Sequence, residues 1–439
     1  MSGLIEQGRY TCAIGAMQSV VAIPRAVPIL HSGPGCGSMV TGFFERATGY
    51  AGGSTAPCTN SGETEVVFGG EARLARVIEG AGRVIDADLE VVLTGCTAGI
   101  VGDDVGQVVG RFQAQGRPIV HVDTAGFRSS NYVSHSTVVN AILDQYVAPR
   151  TTGPRVVRPE LVNVFASVPF QDPFWKGNLR ELKRLLSGLG LTVNVLFGPD
   201  SGGVAEWRTV PQARFNVLVS PWYGLPIVEH LQEVYGQPFL QFPYLPIGGN
   251  ETTAFLRQVA TFAELPPGPV EAFIAREEAT FYEELQSLAT FLLEFRYGLP
   301  AYYHAIHDAS YVVGLARFLL HECGIVPREQ FVVDGTPAEL QDGVRAALAA
   351  TSPKRTIPVT FDPDAGLAQE TLRPIRHPGR GLLIGSGWDK LLAREKDLDF
   401  LSAALPSPYR LVMTTGYLGY QGGLRLIEDV YNGVLATYA

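Results

Sequence analysis

Five cysteines stand in this 439-residue chain, and four of them, Cys12, Cys36, Cys58 and Cys96, fall in the first hundred residues, with Cys323 far behind. The setting of Cys36 is unusual: HSGPGCGSM, residues 31 to 39, places it at the tip of a glycine-rich turn that follows an apolar, extended run. A structural thiol wants a packed apolar niche, whereas a thiol on such a turn can be approached closely by a metal, a cluster or another chain. Cys96 sits in LTGCTAGIVGDD at the carboxyl end of an apolar run, and Cys12 sits in RYTCAIGAM ahead of a helix expected to begin near Ile14. Thiolate is the metal-binding form, and it selects zinc, copper(I) or iron–sulfur clusters. Zinc sites usually show close pairs such as C-x2-C, and none exists here; ferredoxin spacings are absent too. A set this widely spaced needs a rigid scaffold to converge, and a partner subunit can complete it. Gly35, Gly37 and Gly95 would let inorganic sulfides approach backbone N–H groups. On spacing alone, ordinary reduced thiols remain the commoner use of such residues.

Other chemistry-bearing types are less persuasive. His304 and His307, in YYHAIHDA, are three apart, but hydrogen-bonded histidines are commoner than metal pairs. His230, in IVEHLQEVYG, reads as a polar surface or interface group. Asp103 and Asp104, in VGDD, read as capping residues after a strand more than as ligands.

The elements that must position these residues repeat coarsely. Apolar, β-branched runs alternate with polar turns and helical patterns: 88 to 95, 117 to 124, 161 to 169, 191 to 200, 214 to 221, 329 to 335 and 379 to 387. Their nearly unbroken apolar character fits strands covered on both faces. Between them, 177 to 190 and 309 to 324 carry helical periodicity, as in the stripe Val312, Ala316, Leu319 and Leu320. The pattern predicts an α/β protein of three Rossmann-like, doubly wound parallel-sheet domains with bridging helices. We expect an N-terminal domain over 1–155, a second over 156–297 with a long helical end from about 269, and a third over 298–439 with a closing C-terminal helix. In such sheets ligands bind at the carboxyl ends of strands, where Cys36 and Cys96 stand.

Bulk composition narrows the function classes. Hydrophobic residues make up 46% and charged residues 18%, and the formal net charge is −9. No basic run interleaved with aromatics appears, so no nucleic-acid partner is expected. No run reaches the length of a membrane span, and the N-terminus lacks a signal-peptide layout. A cytoplasmic protein without disulfides is expected.

Read in order, CAIGAM around Cys12, ILHSGPGCG around Cys36, TNSGETEVVFGG (59 to 70) and VVLTGCTAGIVGDD (91 to 104) resemble the nitrogenase component 1 superfamily. The likeness continues through KGNLRELKRLL, NVLVSPWYGLPIVEHLQEVYGQPF, YLPIGGNETTAFL and MTTGYLGYQGGLRLIEDVYNGVL, which look most like the β-type subunit. The resemblance implies that Cys12, Cys36 and Cys96 are the β-side ligands of a P-cluster-type, eight-iron cluster shared with an α-type subunit; a 4Fe-4S cluster is the variant. It implies Cys58 and Cys323 as packing thiols. It also implies an α2β2 heterotetramer fed by a separate ATP-dependent iron protein, consistent with the lack of a G-x-x-x-x-G-K-[ST] loop here. The family's catalytic subunits hold an active-site cofactor with a later cysteine and histidine, and 220 to 236 has no cysteine. No catalytic residue is therefore expected on this chain.

Departures direct the reading away from nitrogenase itself. Only eleven residues precede Cys12, where nitrogenase β subunits carry a long extension, and Phe170 stands where they place a cluster-binding serine. A nitrogenase-like electron-relay subunit is expected, with carbon–sulfur bond reduction of methylthio-alkanes as the leading activity. The alternatives are a dinitrogen-reducing enzyme, a non-catalytic scaffold for cofactor assembly, and a metal-free interaction protein.

Overall fold

The computed structural model describes residues 12–37, 56–128, 130–151, 153–295 and 298–436. Among the described residues, twelve strands form three separate sheets, and their pairings are parallel. The first sheet has β1 (Ala26–His31), β2 (Leu89–Thr94) and β3 (Ile119–Asp123) in that order. The second runs β5 (Thr192–Asn194), β4 (Arg158–Phe165), β6 (Ala213–Val219), β7 (Phe239–Phe242). The third runs β10 (Val359–Phe361), β9 (Val326–Val332), β8 (Tyr302–His307), β11 (Gly381–Gly385), β12 (Asp399–Ser402). Central positions such as Val91, Val92, Leu93, Val217 and Leu218 are buried, because helices cover both faces. The expected α/β class with three parallel sheets is the class observed.

The helices connect the sheets as well as cover them. Helix Pro267–Phe295 packs on both Gly248–Phe262 and the closing helix Gly419–Ala436. That closing helix touches Trp175–Gly188 beneath the second sheet and β12 of the third. The approach is close: a β-carbon on Gly419 of the closing helix would lie 2.7 Å from Glu181 Cγ. One apolar core consequently runs from Met17 through Leu182 and Leu315 to Val430.

Near the first sheet, helix Cys12–Val21 packs on helix Asn131–Ile142, and a β-carbon on Gly15 would meet Asn131 Cβ at 2.6 Å. The helix begins at Cys12, two residues earlier than expected near Ile14. Among the described residues, no helix is long and apolar enough to cross a membrane.

Candidate metal-cluster site

The carboxyl ends of β1, β2 and β3 lie side by side and lead into three turns. From β1 the chain passes Ser32 and Gly33 into a helical turn at 34–37 that carries Cys36. From β2 it passes Gly95, which precedes helix Cys96–Val101. From β3 it passes Thr124 and Ala125 to Gly126, whose N–H donates to Cys96 Sγ at 3.1 Å. The turns are stitched together, since the Gly95 N–H donates to His31 O at 2.9 Å and the Thr124 N–H to Thr94 O at 3.1 Å.

Glycine is required at the closest of these approaches. A β-carbon on Gly95 would lie 2.3 Å from Ser32 Oγ. On Gly37 it would lie 3.2 Å from Cys58 Sγ, while at Gly35 it meets no atom of the described residues within 4 Å. Cys36 and Cys96 are free thiols, both partly buried. Cys12 opens the helix Cys12–Val21, but its side chain lies outside the described residues.

A polar cradle fixes the β1 turn from below. Residues 57–61 run along the edge of β1: the Leu30 N–H donates to Pro57 O, the Thr59 N–H to Leu30 O, and the Ser61 N–H to Ser32 O. His31 is fully buried, with Nε2 2.9 Å from Asp103 Oδ2 and Nδ1 3.2 Å from Thr59 Oγ1. Burial lowers the His31 pKa, and the Asp103 charge opposes that shift. Asp103 also accepts from the Gly70 N–H at 2.8 Å, tying the FGG turn to β1. Asp104 is the N-cap of helix Val105–Ala114, accepting from the Gln107 N–H, so the capping expectation holds there. Asp103 instead pairs with His31.

Cys58 is held by the same turn. Its Sγ accepts from the Asn60 N–H at 3.4 Å and lies 3.6 Å from Ser32 O. Burial pushes its pKa up, with a smaller push from a charge on nearby Cys36. Cys323 packs against the main core, and burial pushes its pKa up to about 12.

These residues suit an iron–sulfur group better than zinc. The donor set is soft and widely spaced, a backbone N–H already points at one sulfur, and Ser32 Oγ is buried beside Gly95 without a hydrogen-bond partner.

Around the turns lies an apolar rim that the sequence did not reveal. Helix Glu63–Phe68 packs on Cys96–Val101, and Val67, Phe68 and Ile100 are 70%, 83% and 75% exposed. Phe127, beside Gly99, is exposed too. Apolar runs are normally read as buried, so only tertiary placement shows that these side chains face outward.

Residues 11–435 match the family model described as nitrogenase component 1 type oxidoreductase. The chain belongs to this family. It is 23% identical to the nitrogenase molybdenum-iron protein beta chain of Azotobacter vinelandii, covering 96% of this chain and 82% of that one. The Methanococcus maripaludis beta chain is 24% identical, covering 98% and 94%. The iron-molybdenum cofactor biosynthesis protein NifE of Methanococcus maripaludis is 25% identical, covering 99% and 84%. Among solved structures, nitrogenase Cp1 at pH 6.5 superposes with a TM-score of 0.79 at 19% identity, covering all of this chain and 95% of the other, a likeness of fold.

Against this family background, the ends of β4, β8 and β9 are notable for what fills them. Three buried carboxylates gather there: Asp172, Asp308 and Asp334. The Tyr311 hydroxyl donates to Asp172 at 2.9 Å, the Tyr132 hydroxyl to Asp308 at 2.8 Å, and Trp222 Nε1–H to Asp334 at 3.0 Å. Burial pushes the Asp172 pKa up to about 6, and Asp308 adds to it. The described side chains fill this junction with tyrosine, tryptophan and carboxylate, and no cysteine is among them. None of this set was singled out from the sequence; the aspartates that follow the strands, as in HD and VVDG, were its only trace.

The remaining expectations resolve individually. His304 and His307 lie on strand β8, so their odd separation sends them to opposite faces. His307 stacks on Tyr311 with ring centroids 4.2 Å apart. His230 Nε2 is 2.7 Å from Asp144 Oδ1, a surface pairing as expected. Phe170 is buried, its ring 5.3 Å from Trp175, with φ at +62°. That conformation is strained for a non-glycine residue. The neighbouring Gln171 side chain donates to Gln18 on helix Cys12–Val21, so this loop leans on the helix that Cys12 opens.

Proposed function

We propose that this chain is the β-type subunit of a nitrogenase-like reductase and holds half of an interfacial, P-cluster-type iron–sulfur cluster through Cys12, Cys36 and Cys96. The observation that carries the reading is the juxtaposition of the Cys36 and Cys96 turns at adjacent strand ends, with the Gly126 N–H already donating to Cys96 Sγ. When bound, such a cluster supplies one-electron transfer. The chain's own residues set the conditions for it. Gly95 lets the two turns touch, the Gly126 N–H draws charge from a thiolate, and the buried His31–Asp103 pair keeps the β1 turn in register.

The apolar rim of Val67, Phe68, Ile100 and Phe127 fits burial by an α-type partner that contributes the other half of the ligand set. Electrons would come from a separate ATP-dependent iron protein, and substrate would be reduced on a cofactor in the α-type subunit. The filled junction at Asp172, Asp308 and Asp334 supports a relay role with no active-site cofactor on this chain. As substrate we favour methylthio-alkanes: two electrons and two protons cleave a carbon–sulfur bond, releasing methanethiol and the hydrocarbon. A scaffold for cofactor assembly is the second reading, favoured by the 25% identity to NifE.

The test is anaerobic co-purification with an α-type partner, followed by iron analysis and EPR of wild type and Cys36→Ala. Loss of iron and of a redox-active signal in the variant supports the cluster; unchanged iron and EPR overturn it. Release of methanethiol from a methylthio-alkane, when the iron protein and ATP are added, separates a reductase from a scaffold.

A further inference from the structure

A second group of ligand-type side chains lies on the third sheet, remote in sequence from the cysteine turns. His304 on β8, Glu329 on β9 and His377, in the loop before β11, bring three ligand atoms within 4.8 Å of one another. His304 Nδ1 is 3.0 Å from Glu329 Oε2, and His377 Nε2 is 3.1 Å from the same oxygen. The backbone is built to make this meeting. Tyr303 pairs with Pro327 and Ala305 with Gln330, so β9 carries an extra residue opposite His304. Such a bulge redirects a side chain, and bulges concentrate beside functional sites.

His304 is 1% exposed, and its Nδ1 makes no hydrogen bond despite the short distance to Glu329. A buried imidazole nitrogen close to a carboxylate but misaligned with it is ill served by hydrogen bonding and well served by a metal ion. We propose that His304, Glu329 and His377 form a site for a first-row divalent cation, zinc foremost. Zinc binds imidazole nitrogen and carboxylate oxygen at about 2.0–2.2 Å, so tetrahedral ligand atoms sit roughly 3.3 Å apart, close to the 3.0 and 3.1 Å that separate the two imidazole nitrogens from Glu329 Oε2. Two imidazoles and one carboxylate are a zinc ligand set that leaves a fourth position for water. Glu329 and His377 are partly exposed, which gives the ion and that water a way in.

The surroundings restrain this set. Lys396 and Arg376 bring positive charge nearby, which lowers the affinity below that of a closed four-ligand site. The site stands apart from the cysteine chemistry and does not depend on it.

The experiment uses the full chain in its purified complex, dialysed against zinc alone under anaerobic conditions. Zinc and iron are quantified for wild type, His377→Ala and Glu329→Gln, and wild-type crystals are examined by anomalous diffraction at the zinc edge. The expected result is an additional zinc per chain in wild type, lost in both variants with iron unchanged, and an anomalous peak among the three side chains. Equal zinc in wild type and variants, or no peak at that position in wild type, overturns the proposal. The wild-type peak keeps the test decisive should a variant fail to fold.

Discussion

A β-carbon on Gly95 would lie 2.3 Å from Ser32 Oγ and 2.5 Å from Ser32 Cβ, so the turns after β1 and β2 meet with no room for a side chain. Gly95→Ala should cost about 1–3 kcal/mol of stability through overpacking. It should also lower the iron retained, because Cys96 follows directly. Adding Ser32→Gly removes the clashing atoms and should restore part of both. Thermal melting and iron analysis of the single and double variants check this; a single variant with wild-type iron and stability contradicts it.

The two thiols expected to be packing thiols, Cys58 and Cys323, should behave differently from ligands. Burial lifts Cys323 from an ordinary value near 9.0 to about 12. Its thiolate fraction at neutral pH, and hence its alkylation rate in the folded chain, should fall roughly a thousandfold. Iodoacetamide labelling with mass spectrometry should find Cys323 unmodified until the chain unfolds. Cys58→Ala should leave iron content at the wild-type level, since the Cys58 sulfur is engaged by the backbone of its own turn.

Asp103 and Asp104 are adjacent yet should fail differently. Asp103→Ala leaves the fully buried His31 without its Nε2 partner, which should cost about 1–3 kcal/mol. Asp104→Ala removes an exposed N-cap and should cost about 1 kcal/mol. Denaturant melts of the two variants provide the comparison, and only Asp103→Ala should also reduce iron retention.

The pH dependence of stability should carry the mark of Asp172. Its pKa is about 6 in the folded chain against 3.8 ordinarily, so the folded state holds the proton more tightly. Its favourable contribution is complete below about pH 4, declines as pH rises toward 6, and is then flat. The difference of about two units corresponds to about 3 kcal/mol. Asp172→Asn should abolish this component. Denaturation midpoints across pH 4 to 7 for both proteins give the test, and parallel curves would contradict it.

Much of the architecture was legible in the linear chain because buried parallel strands must be apolar along their whole length. The runs 88 to 95 and 214 to 221 became β2 and β6 for that reason. The helical stripe Val312, Ala316, Leu319 and Leu320 became helix Ala309–His321. Two strands were not singled out because they are short or polar: β10 has three residues, and β8 carries two histidines that its neighbours bury.

For the site, residue type and local spacing determined that Cys36 and Cys96 sit on glycine turns at strand ends, since such turns need glycine wherever they occur. Only tertiary structure decided what those turns touch. Parallel pairing of β1 with β2 brings Ser32 against Gly95, and the β3 turn lends its N–H to Cys96. The same distinction explains His304. Sequence neighbours suggested His307 as its partner, but strand alternation separates the two, and a bulge in β9 with a loop 48 residues beyond Glu329 bring in Glu329 and His377 instead. Contacts across strands depend on register and crossover, which no local pattern of residues encodes.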